Sequence, residues 1–190
     1  SMIQGADKDS TWGYIYRHPL KVAHFPSEME SIEVKAKNSL DFIFIPDYFI
    51  HKTIKAVKKH TTVREVEKIT PIGFIFLHGN TKQLRGFLLD YFPQDHLVNN
   101  PLTGLPAEIP NTQMRPFMRL INEQPERIKY LDNPICYFKQ HPHIRITSGF
   151  LKGLEGYVVR VSGNRSLVIE IGGRTLAIKD ILREEWEAIE

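Results

Sequence analysis

The stretch Ile144–Gly156, reading IRITSGFLKGLEG, sets the tightest limits on what this 190-residue chain can fold into. Ile144 and Ile146 alternate with Arg145 and Thr147, and a period of two sends one pair into a core and the other toward water. Gly149, Gly153 and Gly156 fall between short apolar pieces, where the backbone must take positive φ or bend sharply. The apolar run Tyr157–Val161 follows at once. Short strands joined by tight turns are required, and the expected product is a small, strongly bent β-barrel.

The flanking sequence extends this reading. Downstream, Tyr157–Val161 and Leu167–Ile171 read as strands joined by a hairpin turn at Ser162-Gly163-Asn164-Arg165. Gly172-Gly173 turns into Thr175–Ile178, and a terminal helix or last strand carries Ile181, Leu182 and Trp186. Upstream, Trp12–Arg17 alternates, with Trp12, Tyr14 and Tyr16 on one face and Ile15 on the other. Pro26 should break any helix begun at Leu20–Phe25, because it removes an N–H and clashes with the preceding turn. A helix is expected over Ser27–Asn38, opened by a sequence like a capping box. Asp41–Ile50 reads as a strand with Pro46 marking an edge or bulge, and residues 51–68 as an exposed hairpin or mobile loop.

Ile69–His78 has the strongest strand pattern, with Phe74 and Phe76 on one face and Ile75 and Leu77 on the other. After a Gly79-Asn80 turn, Thr81 should cap a helix bearing Leu84, Phe87, Leu88 and Tyr91 and ended by Pro93. A short strand is expected at His96–Val98 and a loop over Asn99–Pro110. Asn111 should then cap a third helix, whose first turns Pro116 compromises. Gln124–Pro142 carries three prolines and no sustained period, so it reads as a linker. The expected class is α+β: an antiparallel sheet with flanking helices over residues 11–123, a linker over 124–142, and a small barrel over 143–190.

Charge narrows the function classes. Residues 143–190 hold seven Lys/Arg and seven Asp/Glu, so the net +3 arises entirely before them. Residues 51–68 are the densest part, with six basic side chains against two acidic ones. Lys52, Lys55, Lys58, Lys59, Arg64 and Lys68 fit contact with DNA or nascent RNA, since phosphate contacts position a protein without reading sequence. A solvated, charge-rich hairpin is the plainer alternative. No apolar run approaches the roughly 18 residues of a membrane helix, and no signal peptide is visible. A single cysteine, Cys136, allows no internal disulfide, which fits a cytoplasmic chain. His141 and His143 flank Pro142 without Cys, Asp or Glu at ligand spacing, so they read as solvated residues rather than a metal site. With no phosphate-cradling loop and no nucleophile motif, the expectation is a protein that is not an enzyme and takes no metal or cofactor.

The glycine spacing of Ile144–Gly156, Phe150 within it and the run after it resemble a KOW motif, shared by NusG-type transcription factors and several ribosomal proteins. Trp12–Tyr16, the Phe-rich segment ending at Ile45-Pro46, and Gly73-Phe74-Ile75-Phe76 resemble the N-terminal (NGN) domain of NusG. From Trp12 onward, nearly the whole chain looks like a two-domain NusG-family protein. Leu102-Thr103-Gly104-Leu105-Pro106, followed by Ile109-Pro110 and a Met/Phe helix, is closest to UpxY-type antiterminators of capsular-polysaccharide operons.

That resemblance implies a monomeric elongation factor gripping the clamp helices of RNA polymerase through Tyr16, Phe74, Phe76 and Leu97. Spacing alone favours Phe74 and Phe76 as core residues facing the helix after Thr81, and the resemblance reverses that. In the barrel, the resemblance points to Phe150, Ile171 and Arg174 as partner contacts. There, however, Gly172-Gly173 stands where the family often has Phe, so roles toward Rho or ribosomal protein do not transfer and the barrel's partner stays open. Two further departures are the interruption at Pro26 and the extra residue in Pro71-Ile72-Gly73-Phe74. His60-Thr61-Thr62 precedes the Phe-rich strand, whereas the similar family element follows it, so it takes no role. A ribosome-associated RNA-binding protein and a protein–protein adaptor are the rival readings.

Overall fold

Alternation in the aromatic segments becomes register in the computed structural model, which describes residues 9–59 and 62–190, with the side chains of 53–72 outside the description. His60 and Thr61 therefore lie outside the described residues. By its contacts the chain divides into two units, one formed by Ser10–Val98 with Pro106–Glu108, the other containing Asn99–Leu105 and Ile109–Glu190. The class is α+β, with antiparallel sheets in both.

In the first unit, strands β1 (Thr11–Tyr16), β2 (Tyr48–Lys59) and β3 (Thr62–His78) lie in the order β2-β3-β1. β1 runs against β3 from Trp12↔His78 to Tyr16↔Phe74, and β2 against β3 from Tyr48↔Leu77 to Lys59↔Thr62. Ile15, Ile75 and Leu77 share one face. They pack into a core with Val22 of α1 (Pro19–Val22), Phe25, Met29 and Ile32 of α2 (Phe25–Lys37), and Leu84, Phe87 and Leu88 of α3 (Thr81–Tyr91). Burying such side chains stabilises by about 1.5–3 kcal/mol each relative to exposure.

Several local expectations are corrected. Pro26 does not break α2; it sits in the first turn, where its missing N–H would have had no intrahelical partner. The cap of α3 is Asn80, not Thr81: Asn80 Oδ1 accepts from Gln83 N at 2.8 Å, and Gln83 Oε1 accepts from Asn80 N at 3.1 Å. Residues 41–47 form no strand, and pairing begins only at Tyr48. There Phe44 and Ile45 pack against the core without a ladder partner, and Leu40 and Phe42 are exposed. Instead of a strand, His96–Val98 makes one isolated bridge, Ile15↔Leu97, with Val98 N donating to Tyr14 O at 2.8 Å.

The second unit is built on a six-stranded antiparallel sheet. After β4 (Ile109–Pro110) come β5 (Ile128–Leu131), β6 (His143–Ile146), β7 (Glu155–Val161), β8 (Asn164–Ile171), β9 (Arg174–Ile178) and β10 (Trp186–Ala188). The sheet order is β10-β6-β7-β8-β9-β5. The opening motif supplies β6, a loop closed by Ile146 N to Leu154 O and Gly153 N to Ile146 O (both 2.9 Å), and the start of β7. Leu151 and Leu154 are buried beneath that loop. Gly156 has a steric reason: a Cβ there would run into the Val168 carbonyl and the Ile169 side chain. Ser162 and Gly163, both at positive φ, form the two-residue turn between Val161 and Asn164. The chain then ends in a 3₁₀ turn, Ile181–Arg183, and β10.

Residues 124–142 hold more than a linker. β5 pairs with β9 from Ile128↔Ile178 to Leu131↔Thr175, and Phe138 is buried with Val159, Val168 and Ala177. Arg127, 2% exposed, fastens this segment. Its Nε donates to Lys179 O at 2.9 Å, Nη1 to Gln124 Oε1 at 2.8 Å and Glu184 Oε1 at 3.1 Å, and Nη2 to Asp180 O at 3.2 Å. α4 (Asn111–Glu123) also falls in this unit, where Gln113 Nε2 donates to Glu170 O at 2.6 Å. Asn111 is its first helical residue rather than its cap, and the helix continues through Pro116.

Candidate functional site

β1 and β3 place on one sheet face the side chains that alternate with the core set: Trp12, Tyr14 and Tyr16 opposite His78, Phe76 and Phe74. Phe49 joins them through its pairing with Phe76. Trp12 stacks on His78 with ring centroids 4.5 Å apart and 8° between planes. Tyr14 lies edge-on to Phe74 at 5.5 Å and tilted over Phe76 at 5.3 Å, and Tyr16 meets Phe74 at 5.8 Å. Edge-to-face and offset pairs of this kind each add about 0.5–1.5 kcal/mol beyond the area they bury. The face is therefore a continuous aromatic row directed away from the α2/α3 core.

A backbone irregularity shapes one end of the row. The β2–β3 register shifts between Ile50 and Lys52, next to Gly73, whose φ is +104°. A Cβ at Gly73 would stand 2.6 Å from Arg17 O and 2.7 Å from Tyr16 Cε2, so glycine lets the Tyr16 ring lie against the strand. The next residue, Arg17, ties this end down. Its guanidinium bonds Asp95 Oδ2 at 2.7 Å and Glu28 Oε1 at 3.2 Å, and lies 5.1 and 5.3 Å from the ring centroids of Phe25 and Phe92. Burial opposes the charge, but hydrogen bonds to Asp95 and Glu28 outweigh it and hold the Arg17 pKa above its ordinary value.

Two histidines belong to the same neighbourhood. Burial pushes His78 down, partly countered by Asp47, and its Nε2 lies 2.6 Å from Ser10 Oγ. His51, only 2% exposed on β2, is pushed down by burial to about 4 and is neutral near pH 7.

The structure separates the four residues expected to grip a polymerase. Tyr16, Phe74 and Phe76 come together in the aromatic row, which removes the alternative that Phe74 and Phe76 face the helix after Thr81. Tyr16 is 55% exposed, whereas Phe74 and Phe76 are 9% and 2% exposed, so the latter two are not the open surface that the resemblance implied. Leu97 does not join them. As the bridge partner of Ile15 it shares the core-facing side, where it lines a cleft of about 370 Å³ with Arg85, Leu88, Leu89, Pro93, Asp95 and His96. Tyr14 was missed as the centre of the row, although its period-two spacing from Tyr16 was visible. Phe49 was missed because the segment before it is irregular.

Of the basic set, Lys52 is exposed, while the side chains of Lys55, Lys58, Lys59, Arg64 and Lys68 lie outside the described residues. In the second unit, Ile171 is buried at 3% exposure and serves the core rather than a surface. It is the strand partner of exposed Arg174 across the Gly172-Gly173 turn. Phe150 is half-buried, with the Arg119 guanidinium 5.0 Å from its ring centroid. His143 belongs to β6 and stacks on Tyr157 at 4.7 Å. Among the described residues, no helix is long and apolar enough to cross a membrane.

No family model and no curated protein matches the sequence. Among solved structures, the chain is similar to one described as "Domain interaction in Thermotoga maritima NusG". The two are 18% identical over 97% of this chain and 95% of that one, with a TM-score of 0.37.

Proposed function

We propose that this protein is a NusG-like transcription elongation factor that binds RNA polymerase through the aromatic row and suppresses pausing or termination. The observation that supports this reading most is the row itself, with Tyr14, Tyr16, Phe74 and Phe76 on the face turned away from the α2/α3 core. Aromatic side chains offer large contact area at low entropic cost, and an apolar helical tip laid across such a row is a recurring recognition mode. The segments that carry the sequence resemblance, Trp12–Tyr16, Gly73–Phe76 and Ile144–Gly156, agree with this role. Because Phe74 and Phe76 are nearly buried, engagement requires that they become accessible, and Tyr16 is the point of first contact. The partner is the polymerase clamp helices. A factor that binds the closed clamp more tightly than the open one favours elongation by that difference in affinity. Operons for capsular polysaccharide are the proposed targets.

Polymerase pull-down with purified protein tests the reading. Tyr16→Ala, at an exposed position, should weaken capture, and Phe74→Leu with Phe76→Leu should weaken it further while circular dichroism stays native. Full capture by both variants would sink the proposal. Co-purification with ribosomes instead of polymerase would favour the RNA-binding alternative.

A further inference from the structure

Register defines one face of the second unit's sheet. Val159 pairs with Ser166, Val161 with Asn164, Val168 with Ala177, and Ala177 with Lys129. Directly paired residues of antiparallel strands share a face, and so do residues two apart, which adds Lys179 to the set. The 3₁₀ turn Ile135–Phe138 covers one end of this face, where Phe138 packs on Val159, Val168 and Ala177. The other end is left as a cleft of about 240 Å³.

Small side chains make the floor of this cleft: Ser166 and Ala177 are both fully buried, with Val161 beside them. Lys129, Lys179 and Ser162 complete the lining. Lys129 Nζ donates to Ser162 Oγ at 3.1 Å, which leaves the Ser162 proton for another acceptor. Ser166 Oγ donates to Asn164 O at 3.4 Å, a long bond that a better acceptor can replace. Asn164 is fixed at the edge by Asp180: its Nδ2 donates to Asp180 Oδ1 at 2.8 Å, and its Oδ1 accepts from Asp180 N at 2.9 Å. No carboxylate lines the cleft. Asp180, although next to Lys179 in sequence, is engaged by Asn164 and by Arg183, whose Nη2 lies 3.6 Å from Oδ2. Two lysines thus border a hydroxyl-lined depression with no acidic side chain of its own.

Donor count selects the anion. Lys129 keeps two N–H bonds beyond the one given to Ser162, Lys179 has three and Ser162 one, about six in all. A carboxylate offers about four acceptor sites on two oxygens, whereas a phosphate monoester offers three oxygens and a charge of about −1.5 to −2. The monoester matches both the donors and the two positive charges, and lysine binds phosphate as a compact point charge. The cleft is smaller than the roughly 300–1,000 Å³ of drug-sized ligand sites, so it fits a phosphoryl group on a short stem.

We propose that the Lys129/Lys179 cleft of the second unit binds a phosphate monoester group. The site is independent of the polymerase reading, which rests on the aromatic row of the first unit.

Amide chemical shifts of the full, isotope-labelled chain, titrated separately with O-phosphoserine, dimethyl phosphate and acetate, decide it. O-phosphoserine should shift Ser162, Asn164, Ser166 and Ala177 saturably, and the two singly charged probes should bind about tenfold more weakly. Lys129→Gln and Lys179→Gln should each weaken O-phosphoserine binding about tenfold through loss of a charge-assisted hydrogen bond, with the melting temperature unchanged. Lys152→Gln, outside the cleft, should leave binding as it is. Phosphoserine within a short peptide, set against glycerol phosphate, identifies the source: tighter binding of the peptide supports a phosphorylated protein partner, and tighter binding of glycerol phosphate a free metabolite. Acetate binding as tightly as O-phosphoserine would overturn the ligand class. Equal weakening by Lys152→Gln, or no saturable shift with any phosphate monoester up to about 20 mM, well above a Kd of about 1 mM, would overturn the site.

Discussion

Adding one methyl group at each of two glycines should have opposite effects. At Gly73, alanine must accept φ near +104°, a strain of about 1–3 kcal/mol in a sparsely populated region. Its Cβ would also stand 2.6 Å from the Arg17 carbonyl and 2.7 Å from the Tyr16 ring. The carbonyl cannot retreat cheaply, since Arg17 N donates to Gly73 O at 2.9 Å and holds the two strands together there. Losing that bond costs about 0.5–1.5 kcal/mol more, and the stiffer unfolded chain returns about 0.4–1 kcal/mol. The net is about 2–4 kcal/mol of destabilisation, or a fall of roughly 10–20 °C in the melting temperature of a unit near 100 residues. Gly86, exposed within α3, has nothing within 4 Å of the same added atom. There alanine should stabilise by about 0.5–1 kcal/mol through helix propensity. Each unit holds one of the two tryptophans, so urea denaturation read by Trp12 fluorescence in a Trp186→Phe background follows the first unit. A cost below about 1 kcal/mol at Gly73, or an equal loss at Gly86, would refute the bulge and the packing of Tyr16 upon it.

Arg127→Ala should destabilise the second unit by about 3–5 kcal/mol, the usual range for removing one partner of a buried ion pair. Its removal strands Glu184, whose side chain is 10% exposed, and takes donors from the Lys179 and Asp180 carbonyls. An unchanged midpoint by Trp186 fluorescence would mean that residues 124–131 are a linker after all. His51 should make stability depend on pH. Its folded pKa of about 4 lies below the unfolded value of 6.5, so the stabilisation is whole above pH 6.5. As pH falls toward 4 the unfolded chain takes up a proton that the folded chain refuses, and up to about 3 kcal/mol is lost. The imidazole resonances of His51 should not titrate above pH 5, and His51→Gln should flatten this part of the melting profile.

Local pattern settled much of this protein. Alternation grouped Trp12, Tyr14 and Tyr16 against Ile15 in one strand, and Phe74 and Phe76 against Ile75 and Leu77 in another, because a strand has no other way to order its side chains. That the two aromatic groups share a side came from the register. Glycine spacing located the turns of the second sheet. Tertiary structure decided what pattern leaves undetermined. Gln124–Pro142 lacks a period because β5 is four residues long at a sheet edge, and its place is secured by a buried arginine. Phe42–Ile45 is apolar enough for a strand, yet Phe44 and Ile45 pack on the core without a ladder partner, since hydrophobic burial does not require pairing. Leu97 sits on the core side only because its bridge to Ile15 sets its facing. Which side a residue takes within a strand is a local matter of backbone geometry. How exposed it stays depends on what packs over it, a long-range fact that no window of neighbouring residues contains.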